Sequence, residues 1–322
     1  MHKKLQLLSD LAWVVFSWAP QQVWKRLPLR AAALGTLVIV LGLTLALRSS
    51  DVPAHGEGAG TPDASNSSAP SEQPPPPPPD ESAKVIDTEA LTAQIEQYLA
   101  GQSGLHCSVY VRVGEESFDF DAARTYDTAS IVKVDILATL LLQREQDGGE
   151  LSARQRTLAA KMITASDNKA TNELYGDIDG PNGLKKANKA FGMTDTSAGW
   201  DWGTVKTTAR DQVALWRAVM SEGVLSAGSV AYLRELTGSV VDWQAWGVSA
   251  AAGAGDAVML KNGWDTRTSI GGRWVVNSVG LIERADGRAV YMAILTDNHT
   301  DYDAAVDVVE GLAALVGAQL QV

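Results

Sequence analysis

Thr128-Ala129-Ser130-Ile131-Val132-Lys133-Val134-Asp135-Ile136-Leu137-Ala138-Thr139-Leu140-Leu141 spells a helix, expected over Ser130–Gln143, with apolar side chains around nearly its whole circumference. Such a helix has no face to give to water and must run through a core. The two polar side chains at its start then need a reason. Ser130 and Lys133 stand three apart and share a face, with the serine where free backbone N–H groups and the helix dipole favour developing negative charge. That is a nucleophile's position, and a desolvated lysine one turn on loses proton affinity and can act as its base. Taken alone, S-x-x-K reads as readily as a helix cap followed by a lysine reaching for solvent.

Two further polar clusters follow it. Ser166-Asp167-Asn168 lies at a helix–helix junction, where helix capping by itself explains the tripeptide. Lys261-Asn262-Gly263 comes at the end of a late strand. Asn-Gly also signals a hairpin turn, but the next strand does not resume until about Arg273, too far for a two-residue connection.

Around these clusters the domain reads helix, strands, a long helical middle, strands again, then a helix. Leu91, Ile95 and Leu99 share a helical face, Leu105–Val113 alternates as a strand, and Ser117–Phe120 pairs with it. Helical spacing or capping marks 152–165, 168–175, 183–191, 208–220 and 226–237. Strands return at 258–261, 273–283 and 289–296, and 303–320 closes as a helix. Strands from both chain ends enclosing a helical block predict an α/β (α+β) fold, one antiparallel sheet flanked by helices plus an all-helical lobe.

The rest of the chain frames that domain. Residues 31–47 carry no charge and are long enough for a short membrane-spanning helix. Lys3, Lys4, Lys25, Arg26 and Arg30 precede it and acidic residues follow, so residues 1–30 are expected in the cytoplasm and the C-terminal part outside. A cleaved signal peptide is the rival, but Leu45-Ala46-Leu47-Arg48 lacks the small-x-small exit. Residues 48–84, with an unbroken proline run at 74–79, read as an extended spacer, leaving 85–322 for the folded domain. The expected location is thus the cell membrane, single-pass, with an extracytoplasmic domain.

Composition narrows the chemistry. Among 322 residues, 45% are hydrophobic and 20% charged, which suits a globular domain, and the net charge of -11 argues against a nucleic-acid partner. Cys107 is the only cysteine, excluding an internal disulfide and a thiolate metal cluster. No H-E-x-x-H helix or phosphate-cradling loop occurs, so neither metal nor cofactor is expected. A Ser-His-Asp plan would have only His106 and His299 in the domain and no G-x-S-x-G elbow.

In this order the S-x-x-K, S-D-N and K-x-G elements resemble the class A β-lactamases and the related penicillin-binding D,D-peptidases. The flanking Thr207-Thr208-Ala209-Arg210-Asp211, the hairpin at Gly280–Gly287 and the C-terminal helix extend the resemblance over most of 85–322. It implies that Ser130 is acylated, Lys133 activates it and Ser166 relays a proton to the leaving group. By the same resemblance Asn168 holds the substrate amide, Lys261 meets the substrate carboxylate, and the backbone N–H groups of Ser130 and Trp264 form the oxyanion hole. Asp167 is expected to brace the lobes. Trp200, Trp202, Trp243, Trp246 and Trp264 either wall an aromatic cleft or pack, packing being expected for most.

Departures from the family carry weight. Asn262 stands where threonine or serine is usual, offering an amide instead of a hydroxyl beside Gly263. The glutamate that activates the deacylating water in class A enzymes is missing, because no glutamate occurs between Glu173 and Glu222. Asp201 is the candidate substitute, one methylene shorter. The expected activity is therefore an acyl-serine hydrolase acting on β-lactams or D-Ala-D-Ala-like peptides of peptidoglycan type, with slow β-lactam turnover. A D,D-carboxypeptidase or penicillin-binding protein is the alternative, and beyond it a non-catalytic wall-binding or β-lactam-sensing module.

Overall fold

The computed structural model describes residues 86–102 and 104–320. The expected stub, membrane span and spacer at 1–84 lie outside the described residues. Among those described, no helix is long and apolar enough to cross a membrane.

Five antiparallel strands form the sheet: β1 (His106–Val113), β2 (Glu116–Phe120), β5 (Ala257–Arg267), β6 (Arg273–Glu283) and β7 (Ala289–His299), in the order β2-β1-β7-β6-β5. A two-stranded ribbon, β3 (Tyr126–Asp127) with β4 (Lys206–Thr207), ties the sheet side to the helical lobe. Alternation along β7 sorts its side chains between two cores, as the period of two requires. Val290, Met292 and Ile294 face α1 (Thr88–Leu99) and α8 (Tyr302–Gln319), the helices from the two chain ends. Tyr291, Ala293 and Leu295 face the helical lobe. The predicted architecture is thus the observed one.

The lobe wraps α2 (Val132–Gln146), in which every residue from Val132 to Leu142 is buried. Around it lie α3 (Ala153–Thr164), α4 (Asn168–Asp177), α5 (Gly180–Ala190), α6 (Ala209–Met220) and α7 (Ala227–Thr237). Local chemistry starts these helices where the sequence says. Ser152 and Gln155 close a reciprocal capping box on α3, while Thr208 and Ser226 accept from Asp211 N and Ser229 N at the heads of α6 and α7.

Two expectations change. The helix expected from Ser130 begins with a 3-10 turn at Ala129–Ile131 and becomes α-helical only at Val132. The strand expected to stop at Lys261 runs on to Arg267, so Asn262 and Gly263 sit mid-strand, paired with Ser278 and Asn277 of β6, and form no turn. Cross-strand partners, invisible in a local dipeptide, override its turn preference.

Candidate active site

Lys133 is fully buried, as a helix apolar on all sides demands. Its Nζ lies 2.6 Å from Ser166 O, 3.0 Å from Ser166 Oγ and 2.8 Å from Asn168 Oδ1. Lys261, equally buried and delivered by β5, places its Nζ 3.2 Å from the same Ser166 Oγ and 2.9 Å from its neighbour's carbonyl, Asn262 O. One hydroxyl therefore stands between two amines.

The backbone holds that hydroxyl in place. Ser166 adopts φ +58°, a left-handed conformation that non-glycine residues seldom take, in the tight junction between α3 and α4. The junction is held by Asp167, whose carboxylate accepts from Ala170 N at 2.7 Å and caps α4. Capping, not bracing of the lobes, is its visible structural task.

Burial sets the electrostatics. Removal from water lowers the Lys133 amine from its ordinary 10.5 to about 7, against the opposing pull of the Asp167 charge. Lys261 is also held well below its ordinary value, first by burial and then by repulsion from Lys133. As an ammonium, Lys133 has three hydrogens for its three acceptors. As a neutral amine it keeps two of them and frees a lone pair that can accept a proton, while Lys261 donates to the Ser166 oxygen. Such a triad can pass a proton between its members.

Ser130 lies in the turn ahead of α2, half-buried, with no hydrogen-bond partner for its Oγ among the described residues. Ala129 before it has φ +46°. The strand β5 passes directly against this turn: a Cβ on Gly263 would stand 2.7 Å from Ser130 N, 2.8 Å from Ile131 N and 2.8 Å from Thr128 O. Only glycine permits that approach. Motif residues from three distant segments thus border one another.

The family model of the beta-lactamase enzyme family matches residues 142–320, more than half of the chain. The chain belongs to the beta-lactamase enzyme family. Ser166, Asn168 and Lys261 fall inside the matched span, whereas Ser130 and Lys133 precede it. No curated protein matches by sequence. Among solved structures, PBP-A is similar over 72% of this chain and 96% of its own, with 19% identity and a TM-score of 0.63. The TLA-1 extended-spectrum β-lactamase is similar over 72% and 99%, with 17% identity and a TM-score of 0.65. A class A β-lactamase from Bacteroides cellulosilyticus is similar over 72% and 98%, with 15% identity and a TM-score of 0.65. At these identities the likeness shows the fold, a β-lactamase-like arrangement of sheet and helical lobe.

Within this beta-lactamase family framework two predicted site residues take unexpected places. Asn262 donates both amide hydrogens inward, to Gln244 O at 2.8 Å and Trp246 O at 2.9 Å. Its side chain secures the 244–246 segment, and the amide hydrogen expected for a substrate carboxylate is not free. Asp201 heads the short 3-10 turn Trp202–Thr204, and its carboxylate makes no hydrogen bond or ion pair to Ser130, Lys133 or Ser166 among the described residues. Its charge acts instead on Tyr175, whose phenol is pushed up to about 12 by burial and then by Asp201.

The tryptophans divide. Trp264 lies between Trp243 and Trp246, with ring centroids 5.7 and 6.0 Å away, and continues through Tyr302 to Trp274. Trp246 is buried, while Trp200 and Trp243 are exposed. Trp202 covers the Lys133 amine, with Nζ 5.2 Å from the ring centroid, and its Nε1–H donates to Asn172 Oδ1 at 2.6 Å. Asn172 belongs to none of the sequence motifs, although its position four residues after Asn168 puts both on one face of α4. Asn277 escapes them too. It is buried in β6, donates to Asp127 O and Thr128 O and accepts from Thr296 N, and its one signal in the sequence is a lone amide in an apolar strand.

Proposed function

We propose that this beta-lactamase family member is an acyl-transfer enzyme in which Ser130 attacks the carbonyl of a β-lactam or a D-Ala-D-Ala-like peptide. The observation that carries this reading is the Ser166 hydroxyl between two fully buried lysine amines. The neutral Lys133 amine takes the proton of Ser130 Oγ as that oxygen bonds to the carbonyl carbon. Ser166 then hands a proton to the departing amine and is resupplied by the lysine beside it. Charge on the tetrahedral oxygen falls to backbone N–H groups. Ser130 N lies at the β5 edge, and because Asn262 O turns off the ladder toward Lys261 Nζ, alternation directs Trp264 N–H to the same edge. Asn168 orients the substrate amide, and an incoming carboxylate restores charge to Lys261.

Hydrolysis of the acyl form is proposed to be slow. The glutamate expected of a fast class A enzyme is missing from the chain between Glu173 and Glu222, and the Asp201 carboxylate makes no hydrogen bond or ion pair to Ser130, Lys133 or Ser166 among the described residues. A penicillin-binding or D,D-carboxypeptidase role follows from the same observation. Placement outside a cytoplasmic membrane, anchored by residues 31–47, rests on the uncharged run and the basic residues before it.

Intact-protein mass after incubation with penicillin G tests the reading, with Ser130→Ala as the control. A persistent adduct on the wild type that vanishes in S130A supports it. Equal mass spectra for the two proteins, without adduct, would leave a non-catalytic wall-binding module.

A further inference from the structure

We propose that Trp202 is a fixed cover that keeps water off the Lys133 side of the site, so that an acyl group on Ser130 persists. The inference rests on the acylation of Ser130 argued above and names the residue responsible for its slow reversal.

Hydrolysis requires a water oxygen to attack the ester carbonyl while the C–Oγ bond to Ser130 breaks and the water's proton passes to Oγ. That water needs a polar anchor beside the ester. Lys133 has no hydrogen to spare for such a water, since Ser166 O, Ser166 Oγ and Asn168 Oδ1 all lie within hydrogen-bond distance of its Nζ, and the indole lies over the amine. The Trp202–Thr204 turn has Cα atoms within 8 Å of the Ala129–Ile131 turn, which puts this cover beside the nucleophile.

Trp202 is half-buried, packed against the core of the helical lobe with its ring over the Lys133 amine. The ring and the loop that carries it are each held. Asn172 of α4 accepts its N–H, Tyr175 OH donates to Gly199 O at 2.9 Å, and Arg267 of β5 donates to Gly203 O at 3.2 Å. At Gly199 a Cβ would stand 1.9 Å from Thr204 Oγ1, so the loop is closed on itself and only glycine fits the closure. A cover fixed at both ends does not swing aside to admit water.

The test follows the mass adduct over time in full-length wild type, Trp202→Ala, Trp202→Phe and Asn172→Ala after excess penicillin G is removed. Whatever its acylation rate, the adduct of W202A is expected to be lost at least about tenfold faster than that of wild type, while W202F stays within about threefold. N172A, which keeps the indole but frees its N–H, is expected to fall between them and decides the matter should W202A not fold. Adducts that decay alike in wild type, W202A and N172A overturn the cover while leaving acylation intact. No adduct on wild type overturns both.

Discussion

At the scale of single residues, Lys133 stands at the centre of the proposed chemistry because its burial and its partners work in opposite directions. Burial removes proton affinity, and the Asp167 carboxylate returns a part of it. The unfolded chain holds the Lys133 proton up to the ordinary 10.5 and the folded one only to about 7. Between those values the unfolded state binds more protons, so the contribution of this group to stability rises with pH, complete above the upper value and lost as pH falls through the lower. Lys133→Met removes that dependence. The stability of K133M relative to wild type, read from urea midpoints, is expected to fall by about 3–4 kcal/mol from neutral pH to about pH 10. A difference that stays flat with pH would contradict the burial argument. With Lys133 as the proposed base, acylation of wild type by penicillin G is expected to rise with a midpoint near pH 7.

At the scale of elements, helix starts and one strand edge do the positioning. Ser166, the proposed proton relay, precedes the first turn of α4 in a left-handed conformation, beside Asp167, which caps that helix. Asp167→Ala is expected to lower stability by about 1 kcal/mol, as loss of an N-cap does. It also removes the charge that favours protonated Lys133, so the pH midpoint of acylation should move down. Guanidinium denaturation and a pH–rate profile read the two effects separately. Loss of stability with an unmoved midpoint would limit Asp167 to capping.

Across the whole molecule, the site exists only where the sheet meets the helical lobe, and Asn277 is the most direct tie between them. From β6 it reaches Asp127 O at 2.9 Å and Thr128 O at 3.2 Å, the residues that lead into the Ser130 turn, while its own oxygen takes Thr296 N at 3.1 Å. Asn277→Leu keeps the approximate shape but leaves those buried backbone groups unpaired, at an expected cost of about 2–4 kcal/mol. Thermal or urea unfolding measures it, and a loss below about 1 kcal/mol would mean that water or another group replaces the amide.

Much of this architecture is legible in the order of the amino acids. The burial of α2, the strand alternation of β1, β6 and β7, and the caps at Ser152, Thr208 and Ser226 are local properties, because chain geometry alone decides which way successive side chains point. The three polar clusters stand out for the same reason, as polar groups where the local pattern calls for apolar ones. Their convergence is not local. Ser166 meets Lys133 across 33 residues and Lys261 across 95, distances set by how the lobe packs on the sheet. Asn262 turns its amide toward the 244–246 segment and Trp202 settles over the amine because cross-strand partners and loop anchors, supplied by distant segments, determine where those side chains find hydrogen bonds. Periodicity tells each residue which face to occupy, and only tertiary packing decides what it will face.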